Sequence, residues 1–419
     1  MTASALISGM SGNSGMSGNG GIAHNGVIAA APLVALQGFA AVCFDSLDQV
    51  RAEWAAAAAE GAGSPFQQLR WIEAWYAACA ERPDAWPLIV RISDSATGQL
   101  AAILPLARVR QGRLTVIEFA DLGITDYNAP LLGPAAPQTP AGAARLWQSL
   151  RAALPPADLL RFEKMPRMLR GRVNPLTLLQ SVTESGLIGN AFEVNSTWLE
   201  WRASLGRTFR KEIERSWRVF NSHPGAAFRR ISAPDEAQRI LAEIERLQRE
   251  RISGMGLPYI LDDSPNAAVY RRLVRDGLGD GSAVLTAMTV GDEVVAALLG
   301  IADGKSYAMI RLAIGGARWK NCSPGRLILD GSMALMREAG ITHFDFTIGD
   351  YPFKRRLGAA AVPLAEQLEA LSWRGRPVVL KQQIRRWLKR QDWLRNAVRA
   401  MRGKGKSAAA KPDANPAGG

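Results

Sequence analysis

The sequence predicts a mixed α/β protein made of two halves of like order, followed by a basic helical tail. Three observations lead there. Residues 283–290, 293–301 and 306–313 are strand-length apolar runs separated by Gly291-Asp292 and Asp303-Gly304, both strong hairpin turns. Ser323-Pro324-Gly325 then opens a helix-length amphipathic run that stops at Gly340, and a short β-type segment follows at Phe344-Asp345-Phe346-Thr347-Ile348. The first half repeats meander, helix and strand more faintly, with strands at 87–93, 99–109 and 113–120, a helix at 141–153 and a strand at 158–163.

At the N-terminus, the hexapeptide at 9–14 recurs almost unchanged at 15–20, in a stretch of Gly, Ser, Asn and Met. Such a stretch buries too little surface to offset its ordering entropy, so residues 1–36 are expected to be disordered. The apolar run at 27–42 is interrupted by Pro32, Gln37 and Gly38 and has no basic residue before it, which argues against a signal peptide or a span. The first half is expected over 37–175 and the second over 176–376.

At the start of the second half, Leu205, Phe209, Ile213, Trp217 and Phe220 share one helical stripe, while Arg207, Arg210, Lys211, Arg215 and Arg218 take the other faces. The cations read equally as the lining of an anionic cleft, for a nucleotide-sugar or coenzyme phosphates, and as a solvated face paired with Glu212 and Glu214. A second helix is expected at 235–252, with Ile240, Leu241, Ile244 and Leu247 on its buried face.

Residues 323–354 are the most informative stretch. Ser323 suits an N-cap and Pro324 the first helical position, while Leu327, Ile328, Gly331, Leu335 and Ala339 share one face. A helix that starts on Pro-Gly leaves bare amides, and with the helix dipole these attract phosphate. An acid-bearing strand, a Gly349-Asp350 turn and Lys354 follow, so an anionic cofactor is expected beside a carboxylate.

Composition excludes several classes. Three widely spaced cysteines (Cys43, Cys79 and Cys322) imply neither a disulfide framework nor a zinc site and fit a reducing compartment. Three scattered histidines give no metal pattern, so no metal is expected. Cys322 lies just before a helix start, where a thiolate is favoured, but no His-Asp partner pattern accompanies it, and packing is the stronger reading.

Trp319-x-x-x-Ser-Pro-Gly-Arg-Leu, followed by Asp-Phe-Thr-x-Gly-Asp-x-x-Phe-Lys at 345–354, resembles the CelD-like branch of GNAT-type acyltransferases, associated with cellulose and other polysaccharide biosynthesis. The resemblance extends over about 44–373, through Pro65-Phe66-Gln67 to Trp71 and Trp75, Leu104-Pro105-Leu106, Asp126-Tyr127, and the basic helix at Arg207, Arg210 and Lys211. Two departures stand out. Phe353 replaces the more usual Tyr before Lys354, and the general GNAT phosphate loop is missing, with Gly315-Gly316-Ala317-Arg318 near it but placed before Trp319. The tandem halves resemble Fem-like transferases.

This resemblance implies two tandem GNAT-like domains, the alternative being one α/β domain with an unrelated antiparallel cap; the first half has no Pro-Gly helix start, so the cofactor is expected in the second only. It implies direct transfer from acetyl-CoA or another acyl-CoA to an amine or hydroxyl acceptor. The cofactor residues expected are Arg311, Arg318, Ser323, Gly325 and Arg326, and those expected for substrate are Arg207, Arg210, Lys211 and Tyr307. The catalytic candidates are Asp345, Asp350, Tyr351 and Lys354. A strand through Phe344 and Ile348 would point Asp345 and Thr347 the same way, between phenylalanines, where an acid needs a partner such as Lys354 or Arg311. Asp345 then reads either as a base or as a buried ion-pair member fixing the turn, and Asp350 either as a base or as a turn cap. Tyr307 and Tyr351 are candidate acids toward a departing thiolate. Two other readings stay open, a Fem-like transferase using a charged tRNA and a non-catalytic scaffold of a synthase complex.

The tail, 377–419, is strongly basic. Residues 381–411 hold eleven Lys or Arg against Asp392 alone, within an overall charge of +13. Trp387, Leu388, Trp393, Leu394 and Val398 are interleaved with them in the manner of an interfacial helix. An anionic membrane surface or a synthase complex, met through 381–406, is the expected partner. A nucleic-acid patch and docking on the chain's own domain are the competing readings, and without a known motif nucleic acid is the weaker of them. The expected location is cytoplasmic, peripheral at the inner membrane face.

Overall fold

The structure is a computed structural model that describes residues 34–36, 38–60, 63–349 and 351–390. The N-terminal repeat, Asp350 and the tail beyond 390 lie outside the described residues.

A single mixed sheet runs through both halves. From the short edge strand Val34–Leu36 it passes through Phe39–Phe44, Ala85–Asp94, Leu100–Gln111, Leu114–Phe119 and Leu159–Pro166. It continues through Ala360–Ala370, Thr183–Glu193, His343–Asp345, Ser306–Ile314, Glu293–Ala302, Ala283–Val290 and Ala226–Ile231. Within each half an antiparallel meander is followed by a helix and a parallel strand. Leu114–Phe119 leads through helix Pro140–Ala153 to Leu159–Pro166, and Ser306–Ile314 leads through helix Pro324–Glu338 to His343–Asp345. The hairpins in the second meander turn at Gly291 (φ 58°) and Gly304 (φ 85°), where any side chain would be strained.

The meanders, the two crossover helices and the helices Arg207–Asn221 and Pro234–Ser253 lie close to their expected positions. Two features differ. The late strand Ala360–Ala370 is inserted between the halves, pairing antiparallel with Leu159–Pro166 on one side and Thr183–Glu193 on the other. The segment expected as a strand through Ile348 leaves the strand after Asp345, because Thr347 takes a left-handed φ of 58° that no strand accommodates. The alternation expected for Phe346, Thr347 and Ile348 therefore fails, and all three are buried.

Helices cover the sheet. Leu69–Cys79 of the first half packs on Ser264–Gly277 of the second, with Trp71 edge-on to Tyr270 at 6.1 Å between ring centroids. Trp54, Trp71, Trp75 and Tyr270 are all essentially inaccessible, and each such side chain contributes about 2–3 kcal/mol on burial. On the other face, Phe209, Ile213 and Phe220 of the stripe at 205–220 pack with Leu327, Ile328 and Met333 of the crossover helix. Leu205 and Trp217 are only partly buried there. The cysteines are free and buried, and Cys322 Sγ donates to the Trp319 carbonyl, which fits a packing role.

Candidate active site

The strands of the second half separate at one point. Ser306, Tyr307 and Ala308 pair in parallel with His343, Phe344 and Asp345. Beyond that pairing, the Phe346 and Gly349 amides bond to the Asn190 and Ile188 carbonyls of the neighbouring strand instead, while the strand from Ser306 runs on to Ile314. The pairing of Glu293–Ala302 with Ser306–Ile314 also slips there, from Leu299–Arg311 to Gly300–Met309, leaving Ile310 as an extra residue. A bulge of this kind frees a backbone group beside the fork. Asp345 is the last paired residue, at the apex.

Both halves build the surroundings of Asp345. Tyr127, from the first half, donates its hydroxyl to Asp345 Oδ1 at 2.9 Å, and the Thr347 amide donates to the same oxygen at 2.6 Å. Gly189 makes this approach feasible, since a Cβ there would lie 2.1 Å from the Tyr127 hydroxyl. Beside it sits Asp126, inaccessible to solvent and without a hydrogen bond of normal geometry to either carboxylate oxygen among the described residues. Lys164 and Asp121 close the cluster, with Nζ 2.6 Å from Asp121 Oδ2 and 2.6 Å from the Thr125 carbonyl.

Burial pushes the Asp345 carboxyl up to about 7, against the pull of the Thr347 amide, the Tyr127 hydroxyl and the charge on Lys354. Burial likewise raises Asp126 to about 6, opposed by Lys164 and the Thr347 hydroxyl. Two buried carboxyls that influence each other, each titrating near neutrality, can hold and release a proton at the fork. Leu122, Lys164 and Thr347 all have left-handed backbone around this cluster, with φ of 48°, 57° and 58°. Strain of about 1–3 kcal/mol per such residue persists where the surrounding structure enforces it.

The second component is a cavity of about 340 Å³ at the mouth of helix Pro324–Glu338, lined by Ser323, Gly325 and Arg326 and by Gly315, Gly316 and Lys320. Leu312, Ile314, Leu329 and Phe353 supply an apolar wall. Ser323 is not the expected side-chain cap. It is left-handed (φ 49°) and its hydroxyl makes no cap bond, which leaves the first turn without a side-chain acceptor. The matching helix of the first half is closed at its mouth, with Thr139 Oγ1 accepting from the Gly142 amide at 3.2 Å. Only the second of these helix mouths fits an incoming phosphate, and the apolar wall suits a pantetheine-like arm.

Other expected residues fall elsewhere. Arg311 is buried, its guanidinium bonded to Gln248 Oε1 at 2.6 Å and to the Tyr259 hydroxyl at 2.5 Å, 3.6 Å from Glu245 and over the Tyr270 ring. Its neighbour Leu312 lines the cavity and strand alternation turns Arg311 the other way, so it does not line the cavity. Arg318 pairs with Glu293 and lies over Trp319 at 4.5 Å, outside the cavity lining. Arg326 does line the cavity, held by Glu212 at 3.0 Å. Lys354 is buried and donates to the carbonyls of Phe346, Thr347 and Ile348 at 2.9, 3.2 and 3.3 Å, so it clips the turn after Asp345 and does not reach for phosphate. Tyr307 is fully buried with its ring against Gly300, where a Cβ would come within 2.2 Å, and burial pushes its phenol above the usual range. That placement removes it as a substrate contact.

Tyr351 is half-buried and stacks with Phe353 at 5.9 Å. Arg207 and Lys211 are exposed and Arg210 half-buried on their helix. Asp126 carried no role in the sequence reading beyond its place in a motif, and nothing in sequence links it to Asp345, 219 positions later.

Comparison with known proteins agrees with this layout. Residues 207–355 match the family described as Acetyltransferase (GNAT) domain. Among solved structures, FemX matches with a TM-score of 0.55 at 12% identity, covering 80% of this chain and 98% of that chain. A tandem GNAT protein from the clavulanic acid biosynthesis pathway matches with a TM-score of 0.43 at 11% identity, covering 80% of this chain and 99% of that one. L-PGS from Bacillus licheniformis matches with a TM-score of 0.41 at 12% identity, covering 76% and 96%. No curated protein matches the sequence. Residues 207–355 thus resemble a GNAT acetyltransferase domain, and the fold over most of the chain is similar to that of FemX.

Proposed function

We propose that this protein is an acyl-CoA-dependent transferase that moves an acyl group directly to an amine or hydroxyl acceptor, in polysaccharide or cell-envelope biosynthesis. The observation that carries the reading is the juxtaposition of an uncapped helix mouth, an apolar-walled cavity and a strand fork ending in a buried carboxyl. In it, the Gly325 amide at the mouth of the helix and the side chain of Arg326 hold phosphate, while Leu312, Ile314, Leu329 and Phe353 hold an apolar arm. The thioester supplies the activated acyl carbon. The backbone group freed at Ile310 meets the developing oxyanion, and Asp345 in its ionised form takes the proton of the acceptor. Burial sets Asp345's raised proton affinity, and the neighbouring charge of Asp126 adds to it. Tyr351 remains a candidate for returning a proton to the departing sulfur, and Asp350 the alternative base. The polysaccharide setting rests on the motif resemblance at 319–354 alone.

Titration of the full chain with acetyl-CoA tests the donor. Micromolar binding is expected, and Gly325→Asp, which puts a charge at the helix mouth, is expected to weaken it at least about tenfold. No binding by a folded chain would overturn the acyl-CoA reading. The second reading, transfer from an aminoacyl-tRNA, is favoured by the FemX-like course of the chain. It would require tRNA binding that falls steeply with salt. A non-catalytic scaffold predicts neither ligand, with full function in Asp345→Asn.

A further inference from the structure

Helix Arg376–Arg390 faces the wrong way for a helix packed on its own domain. Val379, Gln382 and Arg386 form its half-buried side toward strand Ala360–Ala370, where Arg386 pairs with Glu366. Leu380, Ile384, Trp387 and Leu388 fall on the opposite side, 57%, 48%, 56% and 42% exposed. Their spacing puts all four within one helical stripe. The exposed Arg376 and the exposed Lys381 and Arg385 flank that stripe on its two edges.

The orientation is fixed at the helix root. Gly375 lies so close to Asp158 that a Cβ would be 2.1 Å from its carbonyl oxygen, and Ser372 Oγ donates to Asp158 Oδ1 at 2.6 Å. With Gly375 and Arg386 both anchored, the apolar stripe is held outward. A contiguous apolar face rimmed by cations and held away from its own core marks an interaction surface.

We propose that this helix seats the protein on an anionic membrane surface. Leu380, Ile384, Trp387 and Leu388 enter the headgroup–acyl boundary, while Arg376, Lys381 and Arg385 meet lipid phosphates. Charge complementarity selects this occupant. The flanking cations continue in sequence through Arg395, Arg399, Arg402, Lys404 and Lys406, which suits anionic lipid and opposes docking of a second equally basic copy. Among the described residues no helix is long and apolar enough to cross a bilayer, so the contact is interfacial. The proposal is independent of which donor the strand fork uses.

The test is flotation of the full chain with vesicles of phosphatidylcholine alone or with about one-third phosphatidylglycerol, the range over which basic segments respond to surface charge. Binding to the anionic vesicles only, weakening as salt rises, is expected. The double change Leu380→Glu and Ile384→Glu is expected to weaken it at least about tenfold while acetyl-CoA affinity and the circular dichroism spectrum stay unchanged. Brominated lipid should quench wild-type emission more than that of Trp387→Phe. Absence of vesicle binding, or binding unaffected by the double change, overturns the proposal. So does a dimer in lipid-free solution that the double change dissociates, which would make a second copy the occupant. Protection of 380–388 from hydrogen exchange in a lipid-free monomer would also overturn it, with the chain's own tail as occupant.

Discussion

Asp345 owes its chemistry to residues far away in sequence. Its hydroxyl partner, Tyr127, lies within a loop of the first half, and that contact depends on the missing side chain of Gly189. Gly189→Ala is expected to push Tyr127 off Asp345 and destabilise the fold by about 1–3 kcal/mol, measurable by urea unfolding. The buried acids also set a pH dependence. In the folded chain Asp345 and Asp126 keep their protons up to about 7 and about 6, whereas in the unfolded chain they lose them near the ordinary value of 3.8. Between these limits the folded state binds more protons, so stability is fully present below about 4 and declines as pH rises toward 7. The slope for one such group is about 1.4 kcal/mol per pH unit. Asp345→Asn should flatten part of that decline. For activity the sign is reversed, because the base must be ionised. In the transferase reading kcat/KM rises with pH through about 7, and Asp126→Asn, by removing a neighbouring negative charge, moves that rise to lower pH. An unchanged pH profile in Asp126→Asn would limit it to a structural part.

The elements differ in how much of them could be read from sequence. The strands at 283–290, 293–302 and 306–314 were legible because Gly291 and Gly304 punctuate runs of β-type residues. Helix Pro324–Glu338 was legible from its Pro-Gly start and Gly340. The departure from the strand after Asp345 was not, since nothing in sequence marks a β-branched Thr347 for a left-handed backbone. Ser323 misled for a related reason. Serine is a common N-cap, but at φ 49° its hydroxyl does not cap, which leaves the first turn beside the cavity without a side-chain acceptor. Ser323→Gly should relieve the left-handed strain and raise stability by about 1 kcal/mol, read as a higher urea midpoint without loss of helix. Arg311 shows another limit. Its charge recommended it for phosphate, but the strand's alternation hands Leu312 and Ile314 to the cavity and Arg311 to Gln248, Tyr259 and Tyr270.

At the scale of the molecule, the repeat of meander, helix and parallel strand could be read in each half. The continuity of the sheet could not, because hydrophobic pattern assigns a strand and not its neighbours. The juxtaposition of Asp126 and Asp345 follows from that continuity. It also predicts cooperative unfolding. Tryptophan emission and far-ultraviolet circular dichroism should report one coincident urea transition, and two separated transitions would mean that the halves are thermodynamically independent.

The insertion of Ala360–Ala370 between Leu159–Pro166 and Thr183–Glu193 has a temporal consequence. During synthesis, the first half emerges with Leu159–Pro166 as a bare sheet edge, and the strand that covers it is translated almost 200 residues later. Until then the nascent chain carries an open β edge, which attracts wrong partners. A premature stop anywhere before 360 would therefore harm the first half as much as the second. Among the described residues, the last strand to leave the ribosome is the one that lets either half finish folding.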